Sequence, residues 1–532
     1  MGDALGAAIL RVTGAIMLVG GLAVAIVPTE VPTPYVRWVV IVTLVAALAL
    51  AWIVHTPSWL RPIVESRLLA PVLAVSGAVL STWMALSIRY QYGWDAAVVM
   101  QIATRVSQGS DLAPREYDYL SLYPNNFPLV AIDRLGVSAG SALGLPPDVV
   151  LIIANGLCLA LTLWLVHIVV RRVAGASPAA LAMLLVLVLV GFSPLMAVPY
   201  TDIYAMVFLT AVPVLAFQAS LPGRGHRWVA WVGAVSCAAM AYVIKTTPVV
   251  VVAGLLVIAV GVLGSKESEP GAEEMAAPRA RPSRGRGWRV VTGIVLAGLT
   301  LGGFLAVSAG ATRAGQTASG VDQTRIDAAT SPPMIWWVAN GMNLNTVGGL
   351  TRFGGYNRGM VDAIKDKSQA EMADYAVGYI DERWQQRGPQ GMVRFYAAKA
   401  VWNWSDAMFW AWSEGGDWTK QPVISTPVGR ALMQVNGFTG AHYAVRSSVT
   451  QGIWIAVLLV AGVGLLRARP RADLVLLALT TLGIGAFLLV FQGRSRYLLT
   501  FVPMIVALAC AVIPALPRYA AGRSRVATRS GD

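Results

Sequence analysis

Charge is scarce in this sequence: Asp, Glu, Lys and Arg make up 13% of its 532 residues, against 56% hydrophobic residues and a mean hydropathy of +0.63. That balance excludes a soluble globular protein, and at about 20 apolar residues per crossing the length suffices for about a dozen membrane spans. Cysteine is nearly missing. Cys158, Cys237 and Cys510 each sit inside an apolar run, so no disulfide framework is written into the loops and redox chemistry is not expected. The four histidines, His55, His167, His226 and His442, are scattered without a ligand pair, which argues against a zinc hydrolase. No Gly-rich phosphate loop occurs, so a nucleotide is not an expected ligand. Lysine supplies only six of the 41 basic residues, an arginine bias expected of a high-GC bacterial genome. The N-terminus, M-G-D-A-L-G-A-A-I-L, lacks the basic region and small-residue cleavage site of a removed signal peptide, so residues 5–27 read as a retained span.

What fills the chain instead is a train of apolar runs. Candidate spans cover 5–27, 36–55, 68–88, 147–170, 178–197, 203–221, 227–244, 247–264, 289–310, 451–466, 473–491 and 497–516, twelve in all. Basic residues in the short loops set the orientation. Arg61 with Arg67, Arg171 with Arg172, Arg224 with Arg227, the group Arg467, Arg469 and Arg471, and the tail arginines Arg518, Arg523, Arg525 and Arg529 all fall on one side, which by the positive-inside rule is cytoplasmic. Both termini are then inside, and the Pro/Gly/charge-rich stretch 265–288 reads as a disordered cytoplasmic linker. The expected fold is an all-α polytopic membrane protein with about twelve transmembrane helices, extracytoplasmic interfacial helices and a small outer domain. Its parts are two N-terminal helices in 1–67, a core in 68–310 with a first outer loop at 89–146, an extracytoplasmic domain in 311–450, C-terminal spans in 451–516 and a basic tail in 517–532.

The outer domain holds eight of the eighteen tryptophans and the run V-W-N-W-S-D-A-M-F-W-A-W, 401–412. The tryptophans of 401–418 read either as an interfacial belt or as a platform for stacking sugars. The spans carry almost no ionisable residues, which disfavours a transporter or lipid flippase, the competing function for a chain of this class.

Three cations break the positive-inside pattern by standing on the outer side in very short connections: Lys245 in A-Y-V-I-K-T-T-P, and Arg494 and Arg496 in F-Q-G-R-S-R-Y-L-L. Cations flush with the outer membrane surface suit a lipid-linked phosphate, since guanidinium forks bind phosphate bidentately and an ammonium acts as a point charge. Snorkelling to headgroups is the plainer reading. The same side collects two isolated acids. Asp95 lies in Y-Q-Y-G-W-D-A-A-V-V-M-Q, at the start of an amphipathic helix with Trp94 as its interfacial anchor, and Asp202 lies in P-Y-T-D-I-Y. Both acids read as helix caps, and a carboxylate fixed at a helix N-terminus also has the placement a general base requires. Close by in sequence, Tyr123, Asn125 and Asn126 of S-L-Y-P-N-N-F-P offer hydroxyl and amide groups to sugar hydroxyls, or form a plain Pro-Asn turn.

The order of these elements resembles the GT-C superfamily of membrane glycosyltransferases, nearest to its protein O-mannosyltransferase and aminoarabinose-transferase branch. The likeness spans most of residues 68–516 and rests on a lone acid opening the first outer loop, the acidic P-Y-T-D loop, the K-T-T-P turn and the final R-S-R-Y-L-L-T-F-V-P. The resemblance implies a GT-C-like fold and transfer of a sugar, with inversion, from a polyprenyl-phosphate donor to a cell-envelope acceptor at the outer face of a bacterial plasma membrane. It implies Asp95 as catalytic base, Lys245, Arg494, Arg496 and Tyr497 at the donor phosphate, and Asp202 with Tyr200 on substrate. Asp95 is followed by Ala96 where the branch commonly has a second acid, which tells against a metal or a paired-carboxylate mechanism. No cofactor and no nucleic acid partner are expected, and the acceptor class extends over polysaccharide, lipid and protein.

Overall fold

Apolar residues in a bilayer have no water to satisfy their backbone, so each apolar run must wind into a helix that closes its own hydrogen bonds. The computed structural model of the chain describes residues 2–27, 33–53, 61–90, 93–220, 226–262, 286–347, 350–411 and 425–516, and all twelve apolar runs in it fall on helices. Eight are long and apolar enough to cross a membrane: Ala4–Ile26, Leu69–Ile88, Pro147–Ala174, Thr201–Ala219, Arg227–Ile244, Val291–Ser319, Tyr443–Arg467 and Ala472–Val490. The other four, Arg37–Ile53, Ala176–Gly191, Thr247–Val260 and Val502–Ala515, are shorter apolar helices of 10–17 residues among the described residues. Local breaks mark three of them. A π turn closes Leu187–Gly191, Pro248 opens a 3-10 turn at Thr247–Val250, and Pro503 and Pro514 bracket the last helix.

Two spans also overrun their expected ends. Arg286–Ser319 is one helix of 34 residues, about 51 Å long at 1.5 Å per residue, and it takes up the last residues of the stretch expected to be linker. Tyr443–Arg467, at 25 residues, begins eight residues before the run expected from 451. The rest of the linker, the basic tail and Arg224 lie outside the described residues.

Burial divides the bundle into centre and rim. Every residue of Val502–Ala511 is buried, and Tyr443–Arg467 is mostly so, whereas Val291–Ser319 lies at the edge with its apolar side chains largely exposed. Small residues let the central helices approach closely: a Cβ on Gly462 would stand 2.7 Å from the backbone nitrogen of Leu18, so the first helix crosses Tyr443–Arg467 at backbone contact.

The segment between Ser319 and Tyr443 has its own small apolar cluster, with Trp336, Ala339, Met360, Ile364, Met372 and Ala376 buried together. It holds the helix Met334–Gly341, an antiparallel hairpin of Leu344–Val347 and Leu350–Phe353 with Asn345 opposite Arg352, and the 36-residue helix Gln369–Trp404. That helix kinks where Gly388 takes φ 60° ahead of Pro389, a conformation glycine adopts without steric cost. The segment between Ile88 and Pro147 forms a second cluster. Ala96, Val99, Ile102 and Ala103 line one side of the helix Trp94–Ser107, and the cluster meets Tyr204 and Ile244 at the ends of two spans. This joint carries Asp95 to the spans bearing Asp202 and Lys245.

Candidate active site

The stretch Val198–Tyr200 is held in extended form, and its anchors are side chains from elsewhere. The buried Asn155 amide donates to the carbonyls of Met196 (3.1 Å) and Val198 (3.2 Å), and the Tyr90 hydroxyl donates to that of Pro194 (3.1 Å). This fixes Tyr200 as the N-cap residue of Thr201–Ala219 and puts Asp202 in its first turn. Asp202 does not cap. Its carboxylate, only 3% exposed, forms an ion pair with Lys245 and stands 3.7 Å from the Arg496 guanidinium, while Thr500 Oγ1 donates to it at 3.3 Å. Lys245 is the C-cap residue of Arg227–Ile244, so an anion at one helix N-terminus meets a cation at another's C-terminus and both helix dipoles favour the pair.

Asp95 is likewise no cap. Gly93 holds the N-cap position of Trp94–Ser107 with no side-chain bond, and Trp94 adopts φ 59°, a strained value for a bulky residue. The half-buried Asp95 carboxylate accepts from two phenols instead, Tyr119 (3.1 Å) and Tyr200 (3.0 Å), one on each oxygen. Tyr119 in turn accepts from the Asn126 amide at 2.7 Å, and Asn125 donates to Asn126 at 3.3 Å. Pro124–Asn126 is a 3-10 turn, and both the turn and the hydrogen-bonding reading of Y-P-N-N describe it. Tyr123 packs against Tyr119 and Trp337, with centroids 5.3 and 6.3 Å away. Burial, aided by the neighbouring Asp95 charge, raises the Tyr119 phenol well above its ordinary value, so it stays a proton donor.

The two acids are joined. The Arg496 guanidinium lies 4.6 Å from the ring of Tyr200, whose hydroxyl reaches Asp95, and Lys245, Arg494 and Arg496 stand 5.0, 5.9 and 5.9 Å from the ring centroid of Tyr497. The ten charged, tyrosine and asparagine candidates of the sequence thus fall in one connected patch: Asn125, Asn126, Tyr123, Asp95, Tyr200, Arg496, Asp202, Lys245, Tyr497 and Arg494. A small pocket opens there, lined by Leu195, Val198, Tyr200, Asp202, Ile203, Arg496 and Leu499. Arg89, the basic residue nearest Asp95 in sequence, is engaged elsewhere, in an ion pair with Asp148. Among the described residues no three of His, Cys, Asp and Glu gather as a metal cage would require.

The tryptophans correct an expectation. Trp402 and Trp410 are each 3% exposed and pack edge to face at 5.6 Å, while Trp404 stacks on Trp454 at 6.0 Å. Trp402 and Trp410 are packing residues within the long segment, neither a belt nor a platform, and Trp404 fastens that segment to a span; Trp412 and Trp418 lie outside the described residues. Sequence reasoning also missed Tyr119, four residues before Tyr123, Arg352 of the hairpin and Tyr356 just beyond it, of which the last two carried no signal at all. Burial and the charge of Arg494 lower the Arg352 guanidinium's pKa, and burial, with help from the Asp95 charge, raises the Tyr356 phenol's.

The family model described as conserved hypothetical integral membrane protein matches residues 22–516. No curated protein matches. Among solved structures, the crystal structure of ArnT from Cupriavidus metallidurans bound to undecaprenyl phosphate is similar over 84% of this chain and 77% of that one, at 13% identity and a TM-score of 0.28. With twelve apolar helices among the described residues and a family match over nearly its whole length, this multi-pass membrane protein belongs to the conserved hypothetical integral membrane protein family.

Proposed function

We propose that the chain is an inverting membrane glycosyltransferase that moves a sugar from a polyprenyl-phosphate donor to a cell-envelope acceptor at the extracytoplasmic face. One observation carries the reading: Lys245 and Arg496, with Arg494 beside them, converge beside a pocket that is linked through Tyr200 to a single half-buried carboxylate, Asp95. Buried ionisable groups at the end of a bundle are costly and mark function more often than structure.

A donor phosphate held by the three cations, with Tyr497 beneath them, brings the anomeric carbon toward Asp95. Asp95 takes the proton from the acceptor hydroxyl as the new C–O bond forms. The bond to the phosphate oxygen breaks with its electron pair, and the cations stabilise the charge that grows on the leaving phosphate. Asp95 can do this with two phenols bound, because a carboxylate offers about four acceptor positions. Tyr119 and Tyr200 aim it. Asp202, already engaged by two cations, orients them toward the phosphate, and Tyr123, Asn125 and Asn126 lie where sugar or acceptor hydroxyls would seek partners.

The test is transfer of label by the purified protein from polyprenyl-phosphate sugars to extracted envelope acceptors. Arg496→Gln should weaken donor binding and slow turnover together, and Arg496→Lys should restore part of both, since the ammonium keeps the charge and loses the fork. Failure to transfer mannose, glucose, galactose, arabinofuranose or an N-acetylhexosamine from such donors would overturn the reading.

A further inference from the structure

The loop Phe491–Ser495, which presents Arg494 and Arg496, is held by the long segment between Ser319 and Tyr443 at nearly every residue. Gln492 donates from its backbone to Trp337 O (3.3 Å) and accepts at its side chain from Asn340 (2.5 Å). Gly493 N donates to Gly354 O at 2.9 Å. Lys399, with 0% exposure, donates to Gly341 O, Leu489 O and Phe491 O at 2.6 to 2.8 Å, and so closes the carbonyl end of Ala472–Val490 with a cation. The last grip is on Ser495, which stands between the two arginines and whose hydroxyl donates to Asp406 Oδ2 at 2.9 Å.

Asp406 is the organising residue of that grip. It is 1% exposed and every bond it accepts crosses a boundary or bends the chain: Thr33 Oγ1 (3.1 Å) from the approach to the second span, Met408 N (3.0 Å), Trp410 N (2.9 Å) and Ser495 Oγ. The loop it pins is strained, with Phe409 at φ 51° and Trp410 at φ 64°, values that bulky residues keep only where the surroundings over-determine them. On the other side of Trp410 lies the Arg352 guanidinium, 5.5 Å from the ring centroid. A buried carboxylate that commits one oxygen to a turn of two left-handed aromatics and to the serine between two candidate phosphate ligands is a positioning device.

We propose that Asp406 is a positioning residue for the Arg494–Ser495–Arg496 loop: through Ser495 it fixes the two guanidiniums where a prenyl phosphate is bound, and thereby makes the long segment part of the donor site. The inference rests on the phosphate reading of those arginines. Asp406 touches no substrate, and its effect passes entirely through the serine hydroxyl and the loop.

The experiment measures binding of farnesyl phosphate to the purified full-length protein in detergent by calorimetry, beside its thermal midpoint. Ser495→Ala removes only the hydroxyl that joins the loop to Asp406, so binding must then order the arginines itself and should weaken by up to about tenfold, the ordering cost of an immobilised side chain, with a small change in midpoint. Asp406→Asn keeps the shape, loses acceptors at one oxygen, and should weaken binding similarly. The two changes together should cost no more than the larger alone. In an Arg494→Gln/Arg496→Gln background neither should alter the residual binding, a result a general loosening of the fold would not give. Wild-type affinity in Ser495→Ala, alongside lost affinity in Arg496→Gln, overturns the positioning role and leaves the phosphate site standing. Undetectable binding by the wild type, or unchanged binding in Arg496→Gln, overturns both.

Discussion

Replacing Asp202 by Asn leaves Lys245 and Arg496 facing each other without the carboxylate that now stands between them. Lys245 is 7% and Arg496 4% exposed, so water cannot screen them. At an effective dielectric of about 20, a charge pair at the 3.7 Å Arg496–Asp202 separation interacts by about 4.5 kcal/mol, and the Lys245 contact adds a comparable amount. Desolvation offsets much of this in the intact site, but removing one partner exposes its full weight, about 3–5 kcal/mol. With an unfolding entropy of about 2.1 cal/mol/K per residue, roughly 1.1 kcal/mol/K over the chain, the loss lowers the thermal midpoint by about 3–5 °C. The assay is a thermal melt in detergent at two ionic strengths, and the shift should be nearly independent of salt because the pair is buried. Asp202→Asn/Lys245→Met should recover much of the loss, since it removes a cation along with its anion. Added farnesyl phosphate should stabilise Asp202→Asn more than the wild type, because the ligand supplies the missing negative charge and binding to the folded state raises its stability. A midpoint within about 1 °C of the wild type, or a double mutant that is merely additive, would refute the electrostatic account of this cluster.

Asp95→Asn should lower transfer by about two to four orders of magnitude while farnesyl phosphate affinity changes little, as read from single-turnover rates beside calorimetry; activity within about threefold of the wild type removes Asp95 as base. Tyr119 is raised well above the usual tyrosine value by burial, so its proton, and with it the bond to Asp95, persists as pH rises through the ordinary range near 10. A pH–rate profile should therefore have the same alkaline limb in Tyr119→Phe as in the wild type, and a limb that disappears in the variant contradicts this. For orientation, Arg358→Cys, at an exposed side chain, should react with an impermeant thiol reagent in intact cells and Met275→Cys should not; the reverse pattern would place the site on the cytoplasmic side.

Sequence alone determined the helices, because hydropathy is a local property and the bilayer leaves an apolar run little else to become. It also picked out Asp95, Asp202, Lys245, Arg494 and Arg496, since in a chain this poor in charge each stood against its surroundings. Which of them touch was decided only by the tertiary structure. Lys245 lies 43 residues from Asp202, Tyr200 lies 105 from Asp95, and Thr500 lies 298 from Asp202, separations over which no periodicity carries information. The same holds for what each acid does. Both occupy the first turn of a helix, where a cap is the local expectation, yet partners from distant segments outcompete the helix's own amides. Trp402 and Trp410 read as surface aromatics until the chain folds a loop over them, and Asp406 has no meaning without Ser495, 89 residues on. Local chemistry fixes which side chains are available; only packing of the helices brings a cation to an anion in a place dry enough for their pairing to matter.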